Sequence, residues 1–240
     1  MKQLSTLLIV ALLAMTTYAQ PSKQAEQIAQ SVKWFGQASV KLQLNGKTIY
    51  VDPFNLTERD SADIILITHT HGDHLSTKDL ALVSTKQTTI VAPADVLAML
   101  GDTHYATLTP IKPNQSISWE GMEIKAVPSY NIVKNTKHPK EKEWVGYILN
   151  LNGTLLYLTG DTERIPEMKD ITCDIILLPL GQTYTMNSVE EAVDAVLDTK
   201  ATIAIPIHYG MYEGTVDDAA KFKELLTGKV MVIVKEFPGN

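Results

Sequence analysis

The chain has 240 residues, 45% of them hydrophobic, enough for one large domain with a real core. Its formal charge of −6 excludes the broad basic face that a nucleic-acid surface needs. A single cysteine, Cys173, excludes an internal disulfide.

The N-terminus reads as a targeting segment. Lys2 precedes an apolar run over residues 4–14, too short to span a bilayer, and small residues stand at Thr17 and Ala19. This predicts a signal peptide over 1–19 and a mature domain over 20–240, exported to the periplasm with no stable membrane insertion afterwards. Residues 20–30 read as a polar leader.

Strands then begin with "VKWF" and "SVKLQL". Asn45-Gly46 joins the latter to "KTIYVDP", and two residues that tolerate positive φ between apolar runs predict a hairpin. "DIILIT" (63–68) is a continuous apolar run, expected as a strand buried on both faces. "STKDLALVS" predicts a helix capped by Ser76 or Thr77. "TTIVAP" predicts a strand, and "ADVLAML" a short helix ended by Gly101.

The middle of the chain returns to β structure. "MEIKAVPSY" leads into the polar loop "NIVKNTKHPKEKE". "WVGYILNL", Asn152-Gly153 and "TLLYLTGD" predict a second hairpin. The remainder alternates: "CDIILLPLG" (strand), "SVEEAVDAVLDT" (helix), "ATIAIPIH" (strand), "TVDDAAKFKELL" (helix) and "KVMVIVKEF" (strand). Two packed sheets with helices outside, a layered α/β arrangement, accommodate this order. Cys173 is expected as a small core residue before a buried strand.

The chemistry concentrates in "HTHGDH". His69 and His71 are two apart, so in extended chain they face the same way. Gly72 permits a turn that brings Asp73 and His74 to the same space. Imidazole and carboxylate suit zinc, manganese or iron, and open α/β sheets place their sites at strand ends.

His69-x-His71-x-Asp73-His74 resembles the signature of the metallo-β-lactamase superfamily. The resemblance extends along the mature chain. Asp52-Pro53 matches an early aspartate, Asp161 in "LTGDT" a bridging carboxylate, and His208 in "IPIHYG" a last metal histidine. "WFGQASVKL", "VDPF" and "PIHYG" look most like the branch of metal-dependent hydrolases that includes ascorbate-6-phosphate lactonase and N-acyl-phosphatidylethanolamine phospholipase D. The resemblance implies a four-layer αββα sandwich. It also implies two metal ions, zinc first and manganese or iron(II) as alternatives. His69 and His71 would hold one, Asp73, His74 and His208 the other, with Asp161 between them. A metal-bound hydroxide would then cleave an ester, lactone or phosphodiester bond, and Asp73 would also steer or accept a proton.

The sequence departs from that pattern at one place. Where many relatives carry a third histidine for the first metal, at the end of a middle strand, this chain reads Ser129-Tyr130-Asn131. His138, in the loop beyond, is expected to replace it. His104 has no other ligand type beside it and is read as surface or core. Gln37 stands where some relatives carry histidine and is assigned no role. Asp52 is expected to orient a ligand histidine from behind. Tyr130, Tyr184 and Tyr209 fall near strand ends, as oxyanion donors or as packing. Lys134, Lys137, Lys140 and Lys142 form either a solvated loop or a rim that attracts an anionic small-molecule substrate. Two other readings are compatible with the residues: a metal-binding scaffold or sensor without turnover, and an iron-dependent oxygenase on the same fold.

Overall fold

The computed structural model describes residues 19–101, 105 and 107–237. All but the last residue of the expected signal peptide, and His104, lie outside the described residues. The chain opens not with a polar leader but with a helix, α1 (Lys23–Ser31), whose N-cap Ser22 accepts from the backbone of Ala25. Ala25 and Ala29, four apart, are its fully buried residues. Two alanines in a polar run carry too little hydrophobic contrast to announce a helix.

The first sheet orders β1 (Lys33–Gly36), β2 (Ser39–Leu44), β3 (Lys47–Val51), β4 (Ile64–Leu66), β5 (Thr89–Ala92) and β6 (Thr107–Pro110) as they follow in sequence. The Asn45-Gly46 turn has φ of 53° and 77°, and Leu44 pairs with Lys47. Thereafter the strands run parallel, with α2 (Thr77–Val83) between β4 and β5 and α3 (Ala94–Leu100) between β5 and β6. Ser76 is the cap of α2. Leu80, Val83 and Val96 pack these helices on the outer face, against Tyr50, Ile65 and Ile90.

The second sheet contains β7 (Ser116–Trp119), β8 (Met122–Pro128), β9 (Val145–Leu151), β10 (Thr154–Leu158), β11 (Ile175–Pro179), β12 (Ile203–Ile207) and β13 (Met231–Val232). Its order is β13-β12-β11-β10-β9-β8-β7. α4 (Val189–Asp198) and α5 (Val216–Leu225) follow β11 and β12. The main core lies between the sheets. Val40, Ile49, Ile64 and Val91 from one meet Ile124, Tyr147, Leu156 and Ile205 from the other. This is the four-layer sandwich, and Cys173 is buried within it. The expected last strand shortens to two residues because it pairs only at Ile203–Met231 and Ala204–Val232. Beyond them Lys235 turns to the α1 C-terminus, donating to Ala29 and Gln30 carbonyls.

Candidate metal centre

Strands from both sheets end at one rim. β4 ends at Leu66, and Ile67 and Thr68 lead from it into His69. β8 ends before Ser129, β10 before Asp161, and β12 before His208. The backbone joins the sheets here: His208 N donates to the Gln37 carbonyl at 2.9 Å. Gln37, Asp52 and His208 all adopt left-handed backbone, with φ of 45°, 46° and 55°. Such strained non-glycine positions persist where surrounding contacts over-determine them.

Two groups of side chains converge at this rim. His69, His71 and His138 form one, and Asp73, His74 and His208 the other; in each, the donor atoms lie within 4.8 Å of one another. Asp161 sits between them. Its Oδ2 is 3.4 Å from His138 Nε2, 3.3 Å from His74 Nε2 and 3.1 Å from His208 Nε2. All seven residues expected as ligands are therefore brought together, the displaced His138 included. Among the described residues, His74 Nε2, His138 Nε2 and Asp161 Oδ1 are buried without a hydrogen-bond partner. Orphaned atoms of this kind cost roughly 1–3 kcal/mol each, and a cation between them removes that cost. The donor set of imidazoles and carboxylates fits zinc, manganese or iron(II).

The electrostatics point the same way. Burial, then His74, pushes His69 well below its ordinary range, and burial, then His138, lowers His71. Both shifts favour the neutral imidazole, the form with a lone pair to donate. Burial would also depress His74, but Asp161 and Asp52 outweigh it and push it up to about 10. Burial would raise the Asp161 carboxyl, yet His208 and His74 hold it well below the carboxylate range. The carboxylates thus draw positive charge to the meeting point of His74 and His208. A metal ion supplies that charge while leaving the imidazoles deprotonated.

A further ring of residues holds the donors in place. Asp52 Oδ2 is 2.8 Å from His74 Nδ1, and Asp52 accepts from Thr68 N at 2.8 Å and Thr68 Oγ1 at 2.6 Å. This is the orienting position expected of it. Trp144 lays its ring 4.9 Å from the His69 ring and 5.1 Å from the His71 ring, packing against the first group.

Two glutamates of this ring carry no local signal in the sequence. Glu213 is buried, with Oε1 2.9 Å from His208 Nδ1, while it also accepts from Thr183 N, Tyr184 N and Thr185 Oγ1. Glu163 is buried and accepts from Ile132 N, Val133 N and Lys134 N at 2.7, 2.7 and 2.8 Å. Each glutamate gathers successive amides of a loop that overhangs the rim. Asn131 ties the loops together: its Nδ2 donates to the Tyr184 carbonyl at 2.7 Å and lies 3.2 Å from His138 Nδ1. No local pattern marks a glutamate whose partners lie some thirty residues away.

The β-lactamase superfamily domain model matches residues 31–208, most of the chain and nearly all of this rim. The chain belongs to this superfamily. A UPF0173 protein of Pyrococcus abyssi is 30% identical over 210 residues, covering 85% of this chain and 95% of its own. A UPF0173 metal-dependent hydrolase of a Geobacillus species is 29% identical over 229 residues, covering 87% and 97%. A crystal structure of a protein described as a metal-dependent hydrolase, from Parabacteroides distasonis, superposes with a TM-score of 0.76 at 34% identity, covering 86% of this chain and 92% of the other. The protein is a metal-dependent hydrolase of the metallo-β-lactamase fold.

In this superfamily member the rim opens into a cleft of about 560 Å³, within the range of small-molecule sites. Gln37, His71, Asp73, His138, Asp161 and His208 form its floor, and Lys137, Tyr184, Met211 and Tyr212 its mouth. The loop lysines separate here. Lys134 is spent on Asn187, the Met186 carbonyl and Glu163, and Lys140 on Glu167 and the Tyr130 hydroxyl. Lys142 lies over Trp144. Lys137 alone of the four faces the cleft, its Nζ 5.3 Å from the Tyr184 ring centroid. The tyrosines separate as well. Of the three expected near strand ends, Tyr130 donates to Glu167, Tyr209 is buried 5.1 Å from Trp34, and Tyr184 lines the cleft, beside Tyr212.

Proposed function

We propose that the protein is an exported, periplasmic hydrolase that holds two zinc ions and cleaves an ester, lactone or phosphodiester bond in an anionic small molecule. The observation that carries this reading is Asp161, whose carboxylate stands between the two histidine groups. His69, His71 and His138 are the donors for one ion, and Asp73, His74 and His208 for the other, with Asp161 shared. When bound, the ions supply Lewis acidity and lower the pKa of water held at the site.

The chain's own residues supply the rest. Asp73 faces the cleft, and its carboxyl, which burial would raise, is held low by His208 and His74. As a carboxylate facing the cleft it can orient water or steer a proton. Asp52 and Glu213 fix the imidazole rings from behind. Lys137 at the mouth attracts an anion, and Tyr184, Met211 and Tyr212 offer it an apolar surface. The apolar run over residues 4–14 is the basis for export. Among the described residues no helix is long and apolar enough to cross a membrane.

Elemental analysis of protein purified without chelator tests the reading, combined with a panel of nitrophenyl esters, lactones and bis(p-nitrophenyl) phosphate. About two zinc ions per chain and hydrolysis that a chelator abolishes are expected. Iron in their place, with turnover that consumes oxygen, or no metal at all, overturns it.

A further inference from the structure

We infer that Gln37 is itself a ligand of the second ion, offering its side-chain carbonyl oxygen beside Asp73, His74 and His208. The inference deepens the two-ion reading and rests on it.

Gln37 sits in the turn between β1 and β2 and is completely buried. Its main chain is locked. The carbonyl accepts from Trp34 Nε1 at 2.8 Å and from His208 N at 2.9 Å, and φ is 45°. A glutamine in left-handed backbone costs roughly 1–2 kcal/mol, so tertiary contacts hold the residue there against its local preference. Those contacts aim the side chain at the second donor group.

The amide end is one more vertex of that group. Gln37 Nε2 is 3.1 Å from Asp73 Oδ2 and 3.1 Å from His208 Nε2. The donors proposed for that ion are spaced alike: Asp73 Oδ2 is 3.6 Å from His208 Nε2 and 3.7 Å from His74 Nε2, and His208 Nε2 is 3.1 Å from Asp161 Oδ2. Atoms sharing one ion at bonds of about 2.0–2.2 Å stand about 3–3.6 Å apart. The amide therefore belongs to the same shell and does not sit behind it, as Asp52 and Glu213 do.

The amide has two ends, and the final torsion of a glutamine is broad and roughly two-fold. With Nε2 inward, its hydrogens face the Asp73 and His208 lone pairs, which an ion also requires. Oε1 is meanwhile buried without any hydrogen-bond partner. No group among the described residues holds that oxygen where it is. Turning the end of the side chain exchanges the two atoms and presents a neutral carbonyl oxygen to the ion.

The consequence is two unlike sites. Three imidazoles and one carboxylate make the first; two imidazoles, two carboxylates and an amide oxygen make the second. Oxygen donors favour harder ions and higher coordination numbers. The second site should therefore accept manganese more readily than the first, and an amide donor adds no proton competition.

Calorimetric titration of zinc and of manganese into chelator-stripped full-length protein tests this, together with the absorption spectrum of the cobalt(II) form. In wild type, two ions should bind. Gln37→Ala should weaken the second by roughly tenfold or more, leave the first unchanged and intensify the cobalt absorption as the coordination number falls. Gln37→Glu, equal in shape and carrying an oxygen at both ends, should restore or exceed wild-type affinity, and it keeps the test valid if the alanine variant folds poorly. Two ions in wild type with unchanged affinity and spectrum in Gln37→Ala overturns the assignment alone. So does a Glu variant that binds as weakly as the Ala variant. Fewer than two ions in wild type overturns the two-ion reading and the assignment with it.

Discussion

His138 Nε2 lies 3.4 Å from Asp161 Oδ2, although His138 belongs to a polar loop and Asp161 to the end of a buried strand. The loop is not free. Asn131 N donates to the His138 carbonyl at 2.8 Å, Asn131 Nδ2 faces the ring, and Glu163 grips the three amides that follow Asn131. A histidine outside any regular element thus reaches the position that the strand end leaves to Ser129. Ser129 instead donates to the Asp161 carbonyl at 3.0 Å. His138→Ala should lower zinc content from about two ions per chain to about one. Unchanged content and affinity on titration would show the loop histidine to be a bystander.

Glu213 should matter through His208. Glu213→Gln keeps the shape but withdraws a charge from the imidazole, and should weaken the second ion by roughly 10–100-fold. Gly181→Ala is an independent route to the same defect, because an added Cβ would stand 1.8 Å from Glu213 Cδ. Both variants should bind the first ion as wild type does. Normal binding of the second ion in both, measured by calorimetry, would remove Glu213 from this role.

Glu163 gives the loop a pH dependence with a definite sign. Burial would raise its carboxyl, but the Val133, Lys134 and Ile132 amides lower it below the ordinary 4.5. A carboxyl lowered on folding stabilises above the unfolded value and loses that contribution as pH falls through the folded one. Glu163→Gln should therefore cost about 2 kcal/mol at pH 7, with the difference from wild type shrinking below about pH 4.5. Urea melts at pH 7 and pH 3.5 read this directly. A difference that stays constant or grows in acid would contradict the carboxylate role.

Lys137 should act on substrate capture. With bis(p-nitrophenyl) phosphate, Lys137→Glu should raise KM about tenfold, roughly 1.4 kcal/mol, and leave hydrolysis of a neutral nitrophenyl ester nearly unaffected. Salt should weaken capture of the anion in wild type and lose that effect in the variant. Equal responses of the charged and neutral substrates would remove the anion preference.

Gly146 tests the packing beneath the rim. An added Cβ would lie 2.6 Å from the Leu158 and Thr159 carbonyl oxygens, both backbone atoms of the neighbouring strand and its end. Gly146→Ala should destabilise the fold by roughly 1–3 kcal/mol. A thermal midpoint within a degree of wild type would show that β9 can move aside.

The sequence by itself determined the elements whose information is local. Asn45-Gly46 and Asn152-Gly153 adopt positive φ and close two hairpins, because few other residue pairs tolerate that backbone. Within the run 63–68, Ile64–Leu66 forms a strand buried on both faces, because those residues have no polar side to show. His69, His71, Asp73 and His74 announce a metal site because four donors crowd six residues.

Only the tertiary structure decided what depends on distant partners. It made a helix of residues 23–31, since Ala25 and Ala29 gain from burial and not from contrast along the chain. It turned Glu163 and Glu213 inward, because successive loop amides compensate a buried carboxylate. It brought His138 to Asp161 and Gln37 to Asp73 and His208. It also left Lys137 alone of four loop lysines facing the cleft. Each of these positions is set by burial, a hydrogen bond, an ion pair or a ring contact with residues distant in sequence, and such a partner leaves no trace in the spacing of neighbouring residues.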